Sequence, residues 1–268
     1  MEARVTVAMQ GHVADVRLAR PEKMNALDDA MFAALRDVGE QLKAARGVRA
    51  IVLSGEGRAF CAGLDLGDFA AMASGGGKAR LDALFGHGRR PGGANGAQHA
   101  VMVWREQPAP VIAAIHGVAF GGGLQLALGA DIRVAAPEAQ FSVMEAKWGL
   151  VPDMGGMALL PRLVRDDAAR ELVFTARLFD GTEAHRLGLV TRLSATPHAE
   201  AIALAQEIAR LSPDAVRAAK RLLAVAQRGD LHETLRAESD AQRMLVGSAN
   251  QIEAVRAGVE KRAADFTD

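Results

Sequence analysis

The order of hydrophobic and polar positions changes along the chain. Short apolar runs recur through the first two thirds and predict β-strands. They occupy residues 5–9, 12–19, 50–53, 111–115, 132–135, 140–143 and 189–193. Between them, apolar side chains at helical spacing, such as Phe32, Leu35 and Leu42, predict a helix that Asp28 or Asp29 caps. Further helices are predicted at residues 101–105, 124–128, 155–164, 167–175 and 182–187. Strands that alternate with helices indicate an α/β fold.

From residue 199 onward the pattern is helical alone. Helices are predicted over residues 199–211, 231–246 and 251–262, and another begins at Ser212-Pro213 and closes at Gly229. We therefore expect a mixed α/β core over residues 1–195 and a helical region over residues 196–268. The helical region is expected to pack on its own core or on a partner chain.

Two stretches depart from this simple alternation. Residues 74–98 are glycine-rich at both ends around a short helical piece at residues 81–85, which is typical of a surface excursion rather than of a domain linker. Residues 107–130 contain no Asp, Glu, Lys or Arg and are long enough to span a membrane. Prolines and three consecutive glycines divide that stretch, so a buried strand, loop and helix are the better interpretation.

Composition narrows the classes of function. The chain has 268 residues, half of them hydrophobic, which is enough for a sizeable core. Its 32 Lys and Arg residues balance 32 Asp and Glu residues, so no overall basic field favours nucleic acid or an anionic membrane as a partner. The single cysteine, Cys61, excludes a disulfide framework within the chain and a cysteine-based zinc site. The cytoplasm is therefore the expected compartment.

Several common catalytic motifs are incomplete. Gly55-Glu56-Gly57 follows a predicted strand, as in a dinucleotide-binding loop, but Phe60 stands where the third glycine belongs. Gly77-Lys78 lacks the rest of a phosphate-binding loop, and no two of the seven histidines are spaced for a helical metal site. His116 is better explained as a buried, hydrogen-bonded histidine than as a catalytic one. The glycine pair keeps a dehydrogenase open as an alternative.

Two glycine-bearing loops each follow a buried-type strand. The first is Phe60-Cys61-Ala62-Gly63-Leu64-Asp65, and the second is Gly121-Gly122-Gly123, which leads into a helix. Glycine lets a ligand approach the backbone, and a helix N-terminus offers unpaired N–H groups. One N–H group from each loop could stabilise a carbonyl oxygen that gains negative charge. Two tight turns between core elements are the alternative interpretation.

Two carboxylates carry candidate chemistry. Glu145 lies within apolar sequence, so it is either salt-bridged in a loop or desolvated with a raised pKa, and the second state suits proton transfer near neutral pH. Asp153 follows Pro152 and precedes a predicted helix. It is either the N-cap of that helix or a second acid.

Six segments, taken in order, resemble the crotonase family, also called the enoyl-CoA hydratase/isomerase family. They are Arg20-Pro21-Glu22-Lys23-Met24-Asn25-Ala26-Leu27, Phe60-Cys61-Ala62-Gly63-Leu64-Asp65-Leu66, Pro110-Val111-Ile112-Ala113-Ala114-Ile115-His116-Gly117 with its glycine triplet, Asp131-Ile132-Arg133, Gly149-Leu150-Val151-Pro152 and Glu260-Lys261-Arg262. The resemblance covers nearly the whole chain.

This resemblance implies a crotonase-like spiral of ββα turns with a C-terminal helical region used in trimerisation, and hence a homotrimer or homohexamer. It implies an acyl-CoA substrate and no cofactor, because the coenzyme A is part of that substrate. The thioester oxygen would lie between the N–H groups of Leu64 and Gly122. Adenine would lie near Ala62, and Lys261 would reach a CoA phosphate from its own or a neighbouring subunit. Further substrate contacts are implied at Lys23, Met24, Ala26, Gly63, Asp65, Leu66 and Gly121.

One departure from the family pattern matters most. Hydratases of the family carry two glutamates 20 residues apart, and here those positions hold Gln125 and Glu145. A primary amide cannot serve as a general base near neutral pH. The dienoyl-CoA isomerase branch adds an aspartate eight residues after the second acid, as Asp153 does here, although that branch also has an aspartate at position 125.

We therefore expect an enoyl-CoA or dienoyl-CoA isomerase. Glu145 would be the main proton shuttle, Asp153 a second acid or base, and Gln125 a positioning or water-binding group. A hydratase of the fatty-acid β-oxidation type that uses Glu145 alone is the alternative within the family. A non-catalytic acyl-CoA-binding oligomer is the alternative from another class, because one acid is missing.

Overall fold

The computed structural model describes residues 3–65, Gly67 and residues 92–268. Within these residues the strands form a larger and a smaller sheet. In chain order the strands are β1 (Val5–Gln10), β2 (Val13–Leu18), β3 (Ala50–Gly55), β4 (Val111–Ile115), β5 (Val118–Phe120), β6 (Ile132–Ala135), β7 (Gln140–Ser142), β8 (Phe179–Asp180) and β9 (Arg192–Leu193).

The larger sheet has the order β1-β2-β3-β4-β6-β9. β1 and β2 form the predicted antiparallel hairpin, and every later pair in this sheet is parallel. The smaller sheet has the order β5-β7-β8. The fold is therefore of the predicted α/β class.

Helices cover the sheets. In chain order the described α-helices are α1 (Asp29–Ala44), α2 (Gly96–Arg105), α3 (Gly122–Leu128), α4 (Gly156–Leu159), α5 (Asp166–Thr175), α6 (Gly181–Arg186), α7 (Pro197–Ala209), α8 (Pro213–Ala226), α9 (Leu231–Leu245) and α10 (Ala249–Glu260). Asp28, one of the two expected caps, accepts a hydrogen bond from the backbone N–H of Met31 at the start of α1.

The unbroken apolar run of β3 is explained by burial on both faces of the sheet. Ile51 and Leu53 pack into the larger core beneath α1 and α2, whereas Ala50 and Val52 point to the opposite face. There they meet apolar side chains of α7. Alternate residues of a strand point to opposite faces, so one short run supplies both cores.

The short strand β5 positions the candidate site. On one side Cys61 pairs with Ala119 in a parallel bridge, and on the other β5 runs parallel to β7. The N–H of Gly121, directly after β5, donates to the carbonyl oxygen of Ser142 at 3.0 Å. The first glycine loop and the segment before Glu145 therefore lie on opposite sides of the second glycine loop.

Several predicted elements differ in detail from the structure. The helix predicted at residues 155–164 is α4 followed by a 3₁₀ turn, Leu160–Arg162. The strand predicted at residues 189–193 is only β9, because the carbonyl of Leu189 accepts from the Arg133 side chain at 2.7 Å. The helical piece expected at residues 81–85 lies outside the described residues. β5 and β8 are not predicted, because two or three residues give no recognisable period.

The C-terminal helices attach to the core to different degrees. α7 packs on the larger sheet. α8 is attached to the core through Lys220, whose Nζ donates to Asp131 at 2.6 Å and to the carbonyl oxygen of Ala109 at 3.0 Å. α9, by contrast, buries none of its residues. The division of the chain at residue 195 stays a prediction.

None of the described helices is both long and apolar enough to cross a bilayer. The uncharged stretch at residues 107–130 is divided among β4, β5 and α3, as the prolines and glycines predict.

Candidate active site

A network of hydrogen bonds around Asn25 shapes the first glycine loop. Asn25 is fully buried, and its Nδ2 donates to the carbonyl oxygens of Glu56 at 2.9 Å and Ala59 at 2.8 Å. Met24 and Asn25 both adopt positive φ, and the carbonyl of Met24 accepts from the N–H of Ala62 at 2.9 Å. The segment that follows the 3₁₀ turn Pro21–Lys23 is thus joined by hydrogen bonds to the loop that contains Cys61.

Leu64 lies in a short parallel bridge with Leu27. The N–H of Leu27 donates to the carbonyl of Gly63 at 2.8 Å, and the N–H of Asp65 donates to the carbonyl of Leu27 at 3.2 Å. Among the described residues, no acceptor lies at the N–H of Leu64 itself. That N–H is fixed by its neighbours and available to a ligand.

The second glycine loop packs directly on the first. A Cβ on Gly123 would lie 2.3 Å from the carbonyl oxygen of Cys61, so only glycine fits there. Gly121 has a φ of 49°, and a Cβ on it would lie 3.4 Å from Glu145 Oε1. Gly122 begins α3, and its N–H also has no acceptor within the part of the chain that the structure describes. The interpretation of both loops as mere turns leaves these two donors unexplained.

Glu145 is buried beside Gly121 with only 8% of its surface exposed. Its Oε1 accepts a 2.6 Å hydrogen bond from Gln125 Nε2, and no described residue contributes a partner to its Oε2, which is buried. Burial raises the pKa of this carboxyl, and the charge of Asp153 raises it further, while the Gln125 hydrogen bond opposes the shift. Of the two sequence alternatives, the structure favours the desolvated acid, because no ion pair joins Glu145 to any described residue.

Gln125 is held in one orientation by three contacts. Its Oε1 accepts from the N–H groups of Met154 at 2.8 Å and Gly156 at 2.9 Å. Backbone N–H groups can only donate, so the amide oxygen must face them and the NH₂ group must face Glu145. Gln125 therefore connects Glu145 to the turn that carries Asp153.

Asp153 lies half-buried in the turn between Pro152 and α4. Its expected alternative role as an N-cap is wrong, because Gly155 occupies that position and no side chain caps the helix. Burial raises the pKa of the Asp153 carboxyl as well. The site thus contains two acids with raised pKa values and one neutral amide, which contacts the first acid and the backbone next to the second.

A narrow apolar crevice lies next to the acids. Its lining consists of Gly121, Leu124, Gln125, Leu128, Val143, Pro152, Gly156, Met157 and Leu160. Apart from the amide of Gln125, its side chains are apolar, but its volume of about 10 Å³ is too small for an acyl chain.

The structure does not bring every predicted contact to this place. Lys23 is exposed at the end of its 3₁₀ turn, Ala26 is buried, and Leu66 lies outside the described residues. Lys261 is an exposed residue that ends α10 in a left-handed conformation, and no hydrogen bond within the described chain joins it to the two glycine loops. The roles of these residues in binding coenzyme A stay predictions.

The structure also places three other features that the sequence analysis considered. His116 is half-exposed rather than buried, and its Nε2 lies 2.9 Å from the carbonyl of Gly57. Gly55 ends β3 and Gly57 lies in the turn after it, and no helix begins in the described residues that follow directly, which argues against a dinucleotide loop. Burial raises the pKa of the Cys61 thiol to about 12, so it is no nucleophile at neutral pH. The described residues include no cluster of three or more metal-binding side chains.

Sequence reasoning missed the backbone partners of Gln125 at Met154 and Gly156, and also missed the supporting residues Arg20 and Asn25. The backbone partners leave no signal in side-chain chemistry. An asparagine inside an otherwise apolar Met-Asn-Ala-Leu run was a usable signal, because a buried amide needs several hydrogen-bond partners.

Two free N–H groups beside a buried acid define a site that can stabilise an enolate and move a proton. A family model described as enoyl-CoA hydratase/isomerase matches residues 8–268. The chain belongs to the enoyl-CoA hydratase/isomerase family, as the sequence motifs predicted.

Known relatives cover nearly the whole chain. It is 33% identical to the human mitochondrial enoyl-CoA hydratase domain-containing protein 2, over 99% of this chain and 89% of the human protein. It is also 33% identical to the mitochondrial Delta(3,5)-Delta(2,4)-dienoyl-CoA isomerase of Mus musculus, over 97% and 80% of the two chains. The solved enoyl-CoA hydratase of Bacillus anthracis superposes with a TM-score of 0.89 at 30% identity, over 98% of this chain and 99% of that chain.

Proposed function

We propose that this protein is a double-bond isomerase of enoyl-CoA or dienoyl-CoA thioesters. The observation that carries the proposal is that the two carboxylate oxygens of Glu145 have different surroundings. Gln125 donates a hydrogen bond to one oxygen, and the other is buried without a partner among the described residues. Such an oxygen is free to take a proton from a bound carbon acid and to return it.

The chemistry starts at the thioester oxygen, between the N–H groups of Leu64 and Gly122. Glu145 Oε2 removes a proton from C2 of a 3-enoyl chain, and the electron pair moves into the carbonyl to give a dienolate. The two N–H groups stabilise the negative charge on oxygen. Glu145 then returns the proton to C4, which leaves the double bond between C2 and C3. No external oxidant, reductant or cofactor is needed.

Asp153 extends this scheme to a conjugated dienoyl chain. Burial raises the pKa of the Asp153 carboxyl, which favours its protonated form over that of an exposed aspartate. With Glu145 as base at C2, Asp153 can donate its proton to C6, and exchange with solvent then restores both acids. Gln125 supports this arrangement, because its Nε2 donates to Glu145 and its Oε1 accepts from the N–H of Met154, the residue after Asp153.

A hydratase needs a base that activates water, and Gln125 is not one. Hydration by Glu145 alone is kept as the second candidate, because the human and Bacillus relatives carry the name hydratase. A non-catalytic acyl-CoA-binding oligomer would bind the thioester without turning it over.

Turnover of 3-enoyl-, 3,5-dienoyl- and 2-enoyl-CoA by the purified protein separates these candidates. We expect the first two to be isomerised, and Glu145→Gln to slow that reaction by about 10²- to 10⁴-fold, as for loss of a general base. Glu138→Gln, an exposed glutamate seven residues earlier, is the matched control and should keep its rate. Fast hydration of 2-enoyl-CoA that Glu145→Gln abolishes would overturn the isomerase and favour the hydratase.

We also propose that the protein assembles into a homotrimer or homohexamer in the cytoplasm. Support comes from the apolar side chains that its last three helices expose. They are Leu223, Leu231, Leu235, Met244, Ile252, Val255 and Val259. An apolar helical surface of this kind is typical of an interface between protein chains. The mass in solution, measured by light scattering, decides between trimer and hexamer.

A further inference from the structure

Arg20 lies behind the first glycine loop with only 12% of its side chain exposed. Its Nη1 donates to Asp65 Oδ2 at 2.6 Å and to the carbonyl oxygen of Ala26 at 3.1 Å. These acceptors are 39 residues apart in sequence, and one guanidinium nitrogen joins them. The guanidinium group is planar, permanently charged and has several donors, so it can hydrogen-bond to both acceptors at once.

The two acceptors flank the bridge between Leu27 and Leu64. Ala26 precedes Leu27, and Asp65 follows Leu64. The backbone bonds of this bridge involve the carbonyl of Gly63 and the N–H of Asp65, which are the two peptide groups on either side of Leu64. Arg20 therefore contacts both chains of the bridge, at the residues next to Leu27 and Leu64.

Charge supports the same role. The Asp65 carboxylate belongs to the residue after Leu64, where an unpaired negative charge would repel charge that develops on a thioester oxygen. Asp65 Oδ1 accepts from the N–H of Gly67 at 2.8 Å, and Arg20 pairs with Oδ2. These contacts hold the pKa of the Asp65 carboxyl below its usual range, so the carboxylate stays charged and the positive charge of Arg20 offsets it.

Neighbouring charges complete the cluster. Arg20 Nη1 also lies 3.5 Å from Asp28 Oδ2, which pairs with Arg4 at 2.9 Å. Arg4 thus contacts the same acidic group as Arg20, but its side-chain hydrogen bonds go to Asp28 and not to the loop that contains Leu64.

We propose that Arg20 is a positioning residue whose ion pair with Asp65 aims the Leu64 N–H at the thioester oxygen. The inference rests on the proposed function only in requiring an acyl-CoA thioester as ligand, and it holds for an isomerase and a hydratase alike.

Carbonyl polarisation provides the test. An acyl-CoA labelled with ¹³C at the thioester carbonyl is bound to the protein in a Glu145→Gln background, so that it is not consumed, and the carbonyl stretch is measured by infrared difference spectroscopy. Binding to the parent should lower the frequency. Arg20→Gln should reduce that shift by roughly half, since one of two donors is misaligned. With Glu145 intact, Arg20→Gln should lower kcat about 30-fold, because small displacements of catalytic groups have large effects on rate.

Two further variants and one ligand separate positioning from folding. Arg20→Lys retains one charged donor toward Asp65 and should recover part of the shift, which also covers the case in which Arg20→Gln does not fold. Arg4→Gln is the matched control and should leave the carbonyl frequency and kcat unchanged. The dissociation constant of free coenzyme A should be the same in every variant, since it has no thioester carbonyl.

Two outcomes have different meanings. If the parent itself shows no shift, the proposed site for the thioester oxygen is wrong and the function fails with it. If the parent shows the shift and the folded Arg20 variants keep it in full, the role of Arg20 is overturned and the proposed function stands.

Discussion

Asp15 and Glu145 are both buried carboxylates, but their surroundings shift their pKa values in opposite directions. Asp15, on β2, is 1% exposed. Its Oδ2 accepts from Arg17 at 3.0 Å and 2.7 Å, and its Oδ1 lies 3.0 Å from Nε2 of His198. Burial acts to raise the pKa of Asp15, but the hydrogen bonds from Arg17 and His198 outweigh it and lower the pKa.

Glu145 is slightly more exposed and yet has the raised pKa. Burial raises its pKa and the charge of Asp153 raises it further, while the opposing donors among the described residues, its own backbone N–H and the amide of Gln125, are both neutral. The comparison teaches that the number and charge of the donors, rather than depth alone, decide the protonation of a buried acid in this protein. The charged donors around Asp15 favour its ionised form, whereas the surroundings of Glu145 favour its protonated form.

The largest expected effect concerns stability at Asp15. Asp15→Asn removes the negative charge that pairs with Arg17. It also replaces the carboxylate that contacts His198 with a neutral amide. We expect the free energy of unfolding at pH 7 to fall by about 2 kcal/mol, as for a buried hydrogen-bonded group that loses its partners. Chemical denaturation followed by circular dichroism measures it. Because the folded pKa lies below the ordinary 3.8, wild type and variant should converge only in strong acid.

The matched control for this change is Asp167→Asn, at an exposed carboxylate that also pairs with an arginine two residues away. It should leave the unfolding midpoint unchanged, because exposed ion pairs contribute little. Equal destabilisation by the two substitutions would contradict the expectation that the buried ion pair stabilises the fold more than the exposed one. Loss of kcat in folded Asp15→Asn would show that Asp15 acts in the reaction.

Whether the sequence predicts a feature of this protein depends on how far apart along the chain the residues in contact lie. The five apolar residues of β4 and the apolar spacing of α1 are local patterns, and both elements form where expected. The resemblance to the family singled out Gln125, Glu145 and Asp153, and the structure places these three residues near one another, while their roles stay predictions. Each of these signals is carried by the side chains themselves.

The remaining features depend on contacts between distant segments. The orientation of Gln125 is set by backbone N–H groups 29 and 31 residues away, and any residue could supply them. Arg20 and Asp65 are separated by 45 residues and join only because the Leu27–Leu64 bridge forms. Strand β5 has three residues, too few for a period, although it positions both loops.

The next largest effect concerns the donor of Glu145. In Gln125→Glu, one carboxylate oxygen can still accept from the N–H groups of Met154 and Gly156. The other oxygen takes the place of Nε2, which lies 2.6 Å from Glu145 Oε1. Two carboxylates at that distance cannot both ionise, so the pair retains a proton to higher pH. We expect the pH at which isomerisation reaches half its maximum to rise by about one unit or more. The pH dependence of kcat/KM measures it.

Gln206→Glu, at an exposed position of α7, is the control and should leave the profile where it is. By the resemblance to two-glutamate hydratases, Gln125→Glu should also add water to 2-enoyl-CoA measurably. An unchanged pH profile together with unchanged products would mean that Gln125 does not govern the proton on Glu145.

The smallest effect is the contribution of Glu145 to the pH dependence of stability. Its folded pKa lies above the ordinary 4.5, so between these values the folded state binds more protons than the unfolded chain. The free energy of unfolding should therefore fall as the pH rises through this window, with a slope of at most about 1.4 kcal/mol per pH unit. Glu145→Gln should remove that slope, whereas Asp15→Asn, whose window lies below 3.8, should leave it intact. Denaturation curves at intervals from about pH 4 to about pH 8 cover the range in which a buried carboxyl titrates and measure the slope. A slope retained in Glu145→Gln would assign the proton uptake to another group, with Asp153 the first to test.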